Sequence, residues 1–182
     1  FNGFKELRKI WKKLKEDKLM RTYLSAFFVY SMAVQTIMLI ATYFGIEELD
    51  WGTTDSTTGL IVSILLIQLV AVLGAWLTSK ASAKFGNIQT LIVINCIWIA
   101  ICIYAYTITT PFQFYFTAAF VGLVMGGIQS LSRSTYSKLI PEGEKDTASY
   151  FSFYDVSEKI GIVIGMSTYG FIADQYNIRN AI

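Results

Sequence analysis

Five long apolar runs dominate this sequence and leave few ways for it to fold. A helix needs about 20 predominantly apolar residues to cross the hydrocarbon core of a bilayer. Runs of this length extend over residues 20–44, 57–78, 88–107, 112–131 and 149–173, with charged or turn residues between them. Hydrophobic residues make up 54% of the chain and charged residues only 15%, which is typical of a lipid-facing protein. We therefore predict an all-α integral membrane protein with five transmembrane helices.

Between the runs, basic residues occur only in alternate connecting segments, and this pattern predicts the orientation. They are found in the N-terminal segment, at Lys80 and Lys84, and at Arg133, Lys138 and Lys145. The segment after the first run carries acidic residues instead, and the turn at residues 109–111 is uncharged. The positive-inside rule places the basic segments in the cytoplasm. We expect a multi-pass protein with a cytoplasmic N-terminus, located in the plasma (inner) membrane if the source is bacterial.

The first 19 residues precede the predicted bundle of residues 20–182 and form a basic amphipathic helix. Phe4, Leu7, Trp11 and Leu14 lie three and four residues apart, with lysines on the other face. We expect this linker helix to lie on the cytoplasmic lipid surface. The same charges also fit a calmodulin-type target or a nucleic-acid patch, but the adjoining transmembrane helix already explains them. No nucleic-acid partner is expected.

Polar residues inside the spans are the natural candidates for a site, because each needs a partner or a function there. Gln68 and Asn95 are single amides of the kind that more often join helices by hydrogen bonds. The first span has a denser polar patch that we expect to line a cavity. It consists of Tyr30, Ser31, Gln35 and Thr36.

The fifth span contains three charged residues, Asp155, Glu158 and Lys159. Asp155 and Lys159 are four residues apart and can pair on one helical face. One interpretation is a structural ion-pair cluster near the cytoplasmic end, with Arg133 as a further member. The other is that Asp155 or Glu158 exchanges a proton or contacts a charged substrate. The sequence leaves both open.

Small residues recur on the fourth and fifth spans, at Gly122, Gly126 and Gly127 and at Gly161, Gly165 and Gly170. Faces of this kind let helices pack closely in membranes, and in a transporter they also permit rocking between two states. The sequence does not separate these two roles.

Several kinds of chemistry are not expected. The chain has no histidine, and its two cysteines, Cys96 and Cys102, cannot supply a four-ligand metal site. No P-loop or dinucleotide-binding turn is present, so no cofactor is expected and energy for transport would come from a gradient. An intramembrane enzyme would need a catalytic pair or metal ligands at membrane depth, so we do not predict an enzyme.

At this point the residues indicate a family. The stretch 126–165 resembles the region that joins the tenth and eleventh helices of vacuole-effluxer-like transporters, in the major facilitator superfamily. The family includes an autophagy-related vacuolar amino-acid exporter. The resemblance rests on Gly126, Gly127, Gln129, Ser132, Arg133 and Ser134, followed by Leu139, Ile140 and Pro141.

Two further stretches are similar to this family but depart from its pattern. Residues 30–45 resemble its seventh helix, in which Tyr-Asn-Asp-Gly is expected before a Gln-Thr pair. Ser31, Met32 and Ala33 replace the polar and acidic positions here. The loop at residues 83–87 looks like the superfamily's Asp-Arg-x-Gly loop without its acid. Ion coupling through those acids is therefore not expected.

The resemblance implies helices seven to eleven of a twelve-helix transporter, so that the chain is a fragment without the N-terminal six-helix half and the last helix. It also implies a secondary transporter of small polar solutes, with amino acids as the leading class and protons as a candidate coupling ion. The partners would be the bilayer, the missing half and the substrate. The alternative is a membrane scaffold or assembly subunit that does not transport. The candidate pathway residues are Tyr30, Gln35, Thr36, Gln129, Arg133, Asp155, Glu158 and Lys159.

Overall fold

Six helices and no strand make up the residues that the computed structural model describes, which are 2–52, 55–141, 143–144 and 146–175. The side chains of Phe4 and Leu7, Lys145 and residues 176–182 lie outside this description. The helices are α1 (Asn2–Glu16), α2 (Lys18–Glu47), α3 (Ser56–Phe85), α4 (Asn87–Ala105), α5 (Pro111–Leu139) and α6 (Thr147–Gln175). The predicted all-helical membrane fold is confirmed.

Four helices, α2 to α5, are both long and apolar enough to cross a membrane. The fifth predicted span is the 29-residue helix α6, which is also long enough at a rise of about 1.5 Å per residue. It falls short of the other four in apolarity because it carries Asp155, Glu158 and Lys159. The helix therefore lies where the sequence predicts it, and its charges set it apart.

The helices begin at capping residues that are readable in the sequence. The side chain of Asp17 accepts hydrogen bonds from the backbone N–H groups of Leu19 and Met20 at 2.9 and 3.1 Å, and so starts α2. Thr110 and Gln113 form a reciprocal capping box that starts α5. Each cap satisfies backbone donors that have no partner within the helix.

Two helices run further than the apolar runs that predict them. The third helix continues from Thr78 to Phe85, and the fifth from Leu131 to Leu139. Charged and polar residues end an apolar run but not a helix, since Lys and Ser are tolerated in the last turns. The third helix ends only at Gly86, whose φ of +89° lies in a region that favours glycine.

The tightest contact in the bundle joins α3 and α5 through glycine. A Cβ atom added at Gly122 would lie 2.5 Å from the carbonyl oxygen of Ile67, and one at Gly126 would lie 2.1 Å from that of Ala71. The contact is reciprocal, because Gly74 of α3 lies directly against the backbone of α5. The glycine face predicted on α5 therefore packs closely against α3.

A second glycine contact joins α6 to α2. A Cβ atom at Gly165 would lie 2.0 Å from Oγ1 of Thr36, whereas one at Gly161 would be in ordinary contact with Met32, at 3.4 Å. Among the described residues, no atom lies within 4 Å of such a Cβ at Gly170, so Gly170 takes no part in this packing. The glycine face predicted on α6 therefore approaches α2 closely only at Gly165.

The connecting segments gather at two opposite ends of the bundle. At one end, Lys138 donates a 3.3 Å hydrogen bond to Asn87, which joins the end of α5 to the turn between α3 and α4. At the other end, the indole of Trp51 donates to the carbonyl of Gly45 at 2.7 Å and packs against the ring of Phe114. The described basic segments thus share one end, as expected; its location in the cytoplasm stays a prediction.

The N-terminal helix α1 forms as predicted, and Ile10 and Leu14 on its apolar side pack against the bundle. Ile10 and Leu14 are only 1% and 2% exposed, in a cluster with residues of α2, α5 and α6. The ring of Trp11 stacks on Phe153 of α6, and Lys13 forms a 2.6 Å ion pair with Glu144. Of the predicted stripe, Leu14 therefore packs on protein and Trp11 stays exposed, and the placement of α1 on the lipid surface stays a prediction. The division into linker 1–19 and bundle 20–182 stays a prediction.

The α3–α5 contact predicts opposite effects for two Gly→Ala substitutions. Gly126→Ala should destabilise the protein by about 1–3 kcal/mol, because the added methyl group meets backbone that cannot move aside. Gly170→Ala should be neutral or stabilise it by up to about 1 kcal/mol through helix propensity. Thermal unfolding of the detergent-solubilised full-length protein measures both. Equal changes in stability for the two substitutions would contradict the prediction that Gly126 makes the close contact with α3.

The ion pair of α1 predicts a pH window for its docking. The hydrogen bond from Lys13 lowers the pKa of Glu144 below its ordinary 4.5, and the same bond raises the pKa of Lys13 above 10.5. The contribution of Glu144 is thus complete above pH 4.5 and lost as the pH falls through its lowered pKa, whereas that of Lys13 is complete below pH 10.5 and lost only above it.

A spin label at the exposed position Glu16→Cys can report this docking. We expect constant label mobility from about pH 5 to 10 and a rise in mobility below about pH 4, as Glu144 is protonated. Glu144→Gln should loosen α1 at neutral pH and shrink the acid transition. An acid transition of unchanged size in Glu144→Gln would show that the pair does not hold α1.

Candidate functional site

A cavity of about 200 Å³ lies between α2, α5 and α6. Its lining is mostly polar and aromatic in the part nearer the basic end, where Gln129 and Arg133 are exposed at the rim. The volume is below the roughly 300–1,000 Å³ of sites for drug-sized ligands, which favours a small solute. Its lining includes Phe27, Tyr30, Gln35, Ser132, Arg133, Tyr154 and Glu158.

The floor of the cavity is a hydroxyl cluster that joins α2 to α5. The hydroxyl groups of Tyr30 and Ser132 share a 2.6 Å hydrogen bond, and the hydroxyl of Tyr23 donates to the carbonyl of Ser132 at 2.7 Å. Ser132 is only 1% exposed, so these bonds are shielded from water. Beside them the rings of Phe27 and Tyr154 stack with centroids 4.0 Å apart. The floor is therefore rigid and aromatic.

The wall of the cavity carries both signs of charge. Arg133 of α5 forms an ion pair with Asp155 of α6, and its guanidinium lies 5.8 Å from the ring of Tyr154. One turn further along α6, Glu158 accepts a 2.8 Å hydrogen bond from the side-chain amide of Gln35 on α2. The polar groups of all three helices converge on one space.

The structure brings five of the eight candidate pathway residues into this cavity. They are Tyr30, Gln35, Gln129, Arg133 and Glu158. Asp155 lies beside the cavity through its pair with Arg133. Thr36 is buried against Gly165 instead, and its hydroxyl has no hydrogen-bond partner in the described residues. Lys159 is exposed and is not part of the lining.

Asp155 takes its ion-pair partner from a neighbouring helix and not from Lys159, with which its spacing would also allow a pair. Asp155 pairs with Arg133 of the neighbouring helix, as in the interpretation of an ion-pair cluster. The planar guanidinium lies over the rings of Phe151 and Tyr154, which hold it at the position of Asp155. A pair of Asp155 with Lys159, four residues further along the same helix, would contribute only a few tenths of a kcal/mol.

The two single amides differ from the sequence-based interpretation as well. Asn95 donates its 2.8 Å hydrogen bond to the carbonyl of Leu91 in its own helix, so the bond does not join two helices. Gln68 is exposed on α3. Neither amide lines the cavity of α2, α5 and α6.

Sequence reasoning predicted Tyr30 but missed the other aromatic residues of the site, Tyr23, Phe27 and Tyr154. Tyr23, Phe27 and Tyr30 are four and three residues apart, so they share one face of α2. This spacing was available in the sequence. Their partners Ser132 and Tyr154 could not be found in the same way, because only the packing of α5 and α6 against α2 brings them there.

The arrangement suits reversible binding better than covalent chemistry. A guanidinium, a carboxylate and several hydroxyl groups surround a small volume, and each can hydrogen-bond a polar solute. Within the described residues, no group of three histidine, cysteine or acidic side chains is placed to hold a metal ion.

Comparison with known proteins assigns the family. The sequence matches the family described as "Vacuole effluxer Atg22 like" over residues 1–182, which is the whole chain. The chain belongs to this family. The resemblance seen at residues 126–165 is thereby confirmed.

Two relatives show the range of this vacuole-effluxer family. The chain is 30% identical over 164 residues to the uncharacterized MFS-type transporter YxiO of Bacillus subtilis, a match that covers 90% of this chain and 37% of that protein. It is 31% identical over 170 residues to autophagy-related protein 22 of Eremothecium gossypii, covering 86% and 32%. The chain thus spans about a third of the length of these relatives. No solved structure matches it.

The hydroxyl cluster predicts a cost for removing one oxygen atom. Tyr30→Phe should destabilise the protein by about 1–3 kcal/mol, because Ser132 then loses a partner in a buried site. Tyr104→Phe is the matched control, since Tyr104 is 40% exposed on α4. Thermal unfolding of the full-length protein compares the two. A cost as small as that of the control would show that water replaces the lost bond.

Proposed function

We propose that this chain is part of a secondary active transporter that moves small polar solutes by alternating access, with amino acids as the leading substrate class. The observation that carries the proposal is the cavity between α2, α5 and α6, where a cation and a carboxylate face one small space. Its relative YxiO is named an MFS-type transporter, which supports the same conclusion.

The charges of the cavity are complementary to a zwitterion. The guanidinium of Arg133 can bind a substrate carboxylate with two parallel hydrogen bonds. Glu158 lies about one turn of α6 beyond Asp155, the partner of Arg133. Its carboxylate, which accepts a hydrogen bond from Gln35, can also accept one from a substrate ammonium group. The aromatic floor of Phe27 and Tyr154 offers an apolar surface to a side chain. Together these groups fit a free amino acid.

Release requires that binding also be reversible, and the ion pair supports this. The side chains of Arg133 and Asp155 are 55% and 48% exposed, so water screens their attraction. Pairs of this exposure contribute about 0–1 kcal/mol. A substrate carboxylate can therefore displace Asp155 from Arg133 at small cost, and Asp155 can take the guanidinium back on release.

Transport by alternating access would require a second bundle beside this chain. The cavity has walls on three helices and an open rim, so a complementary half would be needed to close it. In our proposal this half is the missing N-terminal six-helix bundle, the coupling ion is a proton, and Asp155 and Glu158 are its candidate carriers. A purely structural subunit would have no need of a polar cavity containing both charges.

The direct test is transport by the full-length protein in reconstituted vesicles with an imposed proton gradient. We expect uptake of an amino acid that depends on the gradient. Asp155→Asn should lower transport several-fold or shift its pH dependence, because Arg133 then lacks its charged partner. Gln68→Ala is the control and should leave the transport rate per folded protein unchanged.

Two results would count against this proposal. Vesicles in which no amino acid, sugar or peptide moves under any imposed gradient would remove its main support. Transport by Asp155→Asn that equals wild type at all pH values would return the charges of α6 to a structural role.

A further inference from the structure

Helix α1 has two faces with different surroundings. Ile10 and Leu14 are buried against the bundle. Residues two positions apart on a helix differ by about 200° in direction, so Arg8 and Lys12 lie opposite Ile10. Both are exposed. The sequence continues the same spacing at Lys5 and at residue 15, also a lysine.

The basic face has no acidic partner within the described residues. The ion pairs there join Lys13 to Glu144 and Arg133 to Asp155. Lys13 lies on the docked side of α1, where it also approaches the ring of Tyr150. Arg8 and Lys12 therefore take part in neither of these ion pairs, although Glu16 follows Lys12 by four residues on the same face of α1.

The connection to α2 fixes the height of α1 at the membrane surface. Only Asp17 separates the end of α1 from α2, which is long and apolar enough to span a bilayer. Trp11, on the flank of α1, is 48% exposed, and tryptophan is enriched at the level of lipid headgroups. The basic face therefore lies within reach of the headgroups.

We propose that the face of α1 formed by Arg8 and Lys12 binds the headgroups of anionic phospholipids while Ile10 and Leu14 stay docked on the bundle. Ile10 and Leu14 are already covered by protein, so in this proposal the contact is electrostatic and does not involve insertion of these two side chains into the acyl chains. Each basic residue near an anionic surface contributes about fivefold in affinity. The contact is screened by salt, with a Debye length of about 8 Å at physiological ionic strength.

The test uses full-length protein in liposomes that contain phosphatidylcholine and phosphatidylglycerol at about four to one. A photoreactive phosphatidylglycerol or phosphatidylcholine, with its reactive group near the headgroup, labels nearby protein. Mass spectrometry then quantifies the label on peptides of α1. This readout does not involve transport, so its outcome is independent of the proposed function.

We expect α1 to be labelled more by phosphatidylglycerol than by phosphatidylcholine, and R8Q/K12Q to lower that preference by ten-fold or more. Salt at about 0.5 M should do the same. The matched control K80Q/K84Q removes two exposed lysines from another basic segment and should leave the labelling of α1 unchanged. The charge-preserving R8K/K12R should keep the preference, which separates loss of charge from loss of folding.

Three results would overturn the proposal. The first is equal labelling by the two lipids in the wild-type protein. The second is a phosphatidylglycerol preference that survives R8Q/K12Q or high salt. The third is loss of the labelling on addition of single-stranded RNA at constant ionic strength, which would assign the basic face to nucleic acid instead.

Discussion

The close backbone contact between α3 and α5 is the constraint on which the rest of the bundle depends. Apolar side chains gain little by leaving lipid for a helix interface, so association in a bilayer relies on close packing. Gly122 and Gly126 let α5 approach the carbonyl groups of α3. When this side of α5 is fixed against α3, another side of α5, further towards its C-terminal end, faces α2 and α6. That is where Ser132 and Arg133 bind their partners.

The motif that carries the family resemblance therefore combines two physical roles in a short stretch. Its glycines, Gly126 and Gly127, pack against α3, and Cβ atoms there would collide with Ala71 and Thr78. Its polar residues Gln129, Ser132 and Arg133 line the cavity. The packing against α3 and the lining of the cavity thus both depend on the position of one helix. The acid expected after Tyr30 in α2 is absent, and Glu158 of α6 supplies a carboxylate beside Gln35 instead.

Much of the fold could be predicted because a bilayer imposes a length on every span. The apolar runs located all five long helices, and glycine spacing identified the close contact of α5. The ends of the helices were predicted less well. Charged residues mark where a chain leaves the hydrocarbon core, whereas the backbone hydrogen bonds of the helix can continue beyond that point. Capping residues such as Asp17 and Thr110 carry that information. The docking of α1 could not be predicted, since an apolar stripe suits a lipid surface and a protein groove equally well.

The site could be predicted only in part, and the reason lies in how polar groups find partners. Spacing along one helix indicates which contacts are possible within that helix, such as a pair of Asp155 and Lys159, whereas Asp155 in fact pairs with Arg133 of α5. The bonds that build the cavity all join different helices, as between Gln35 and Glu158. Such bonds depend on the rotation of each helix about its axis, which glycine contacts and ring stacking set together. The sequence therefore names the polar residues, but the packing of α5 and α6 on α2 decides which of them line the cavity.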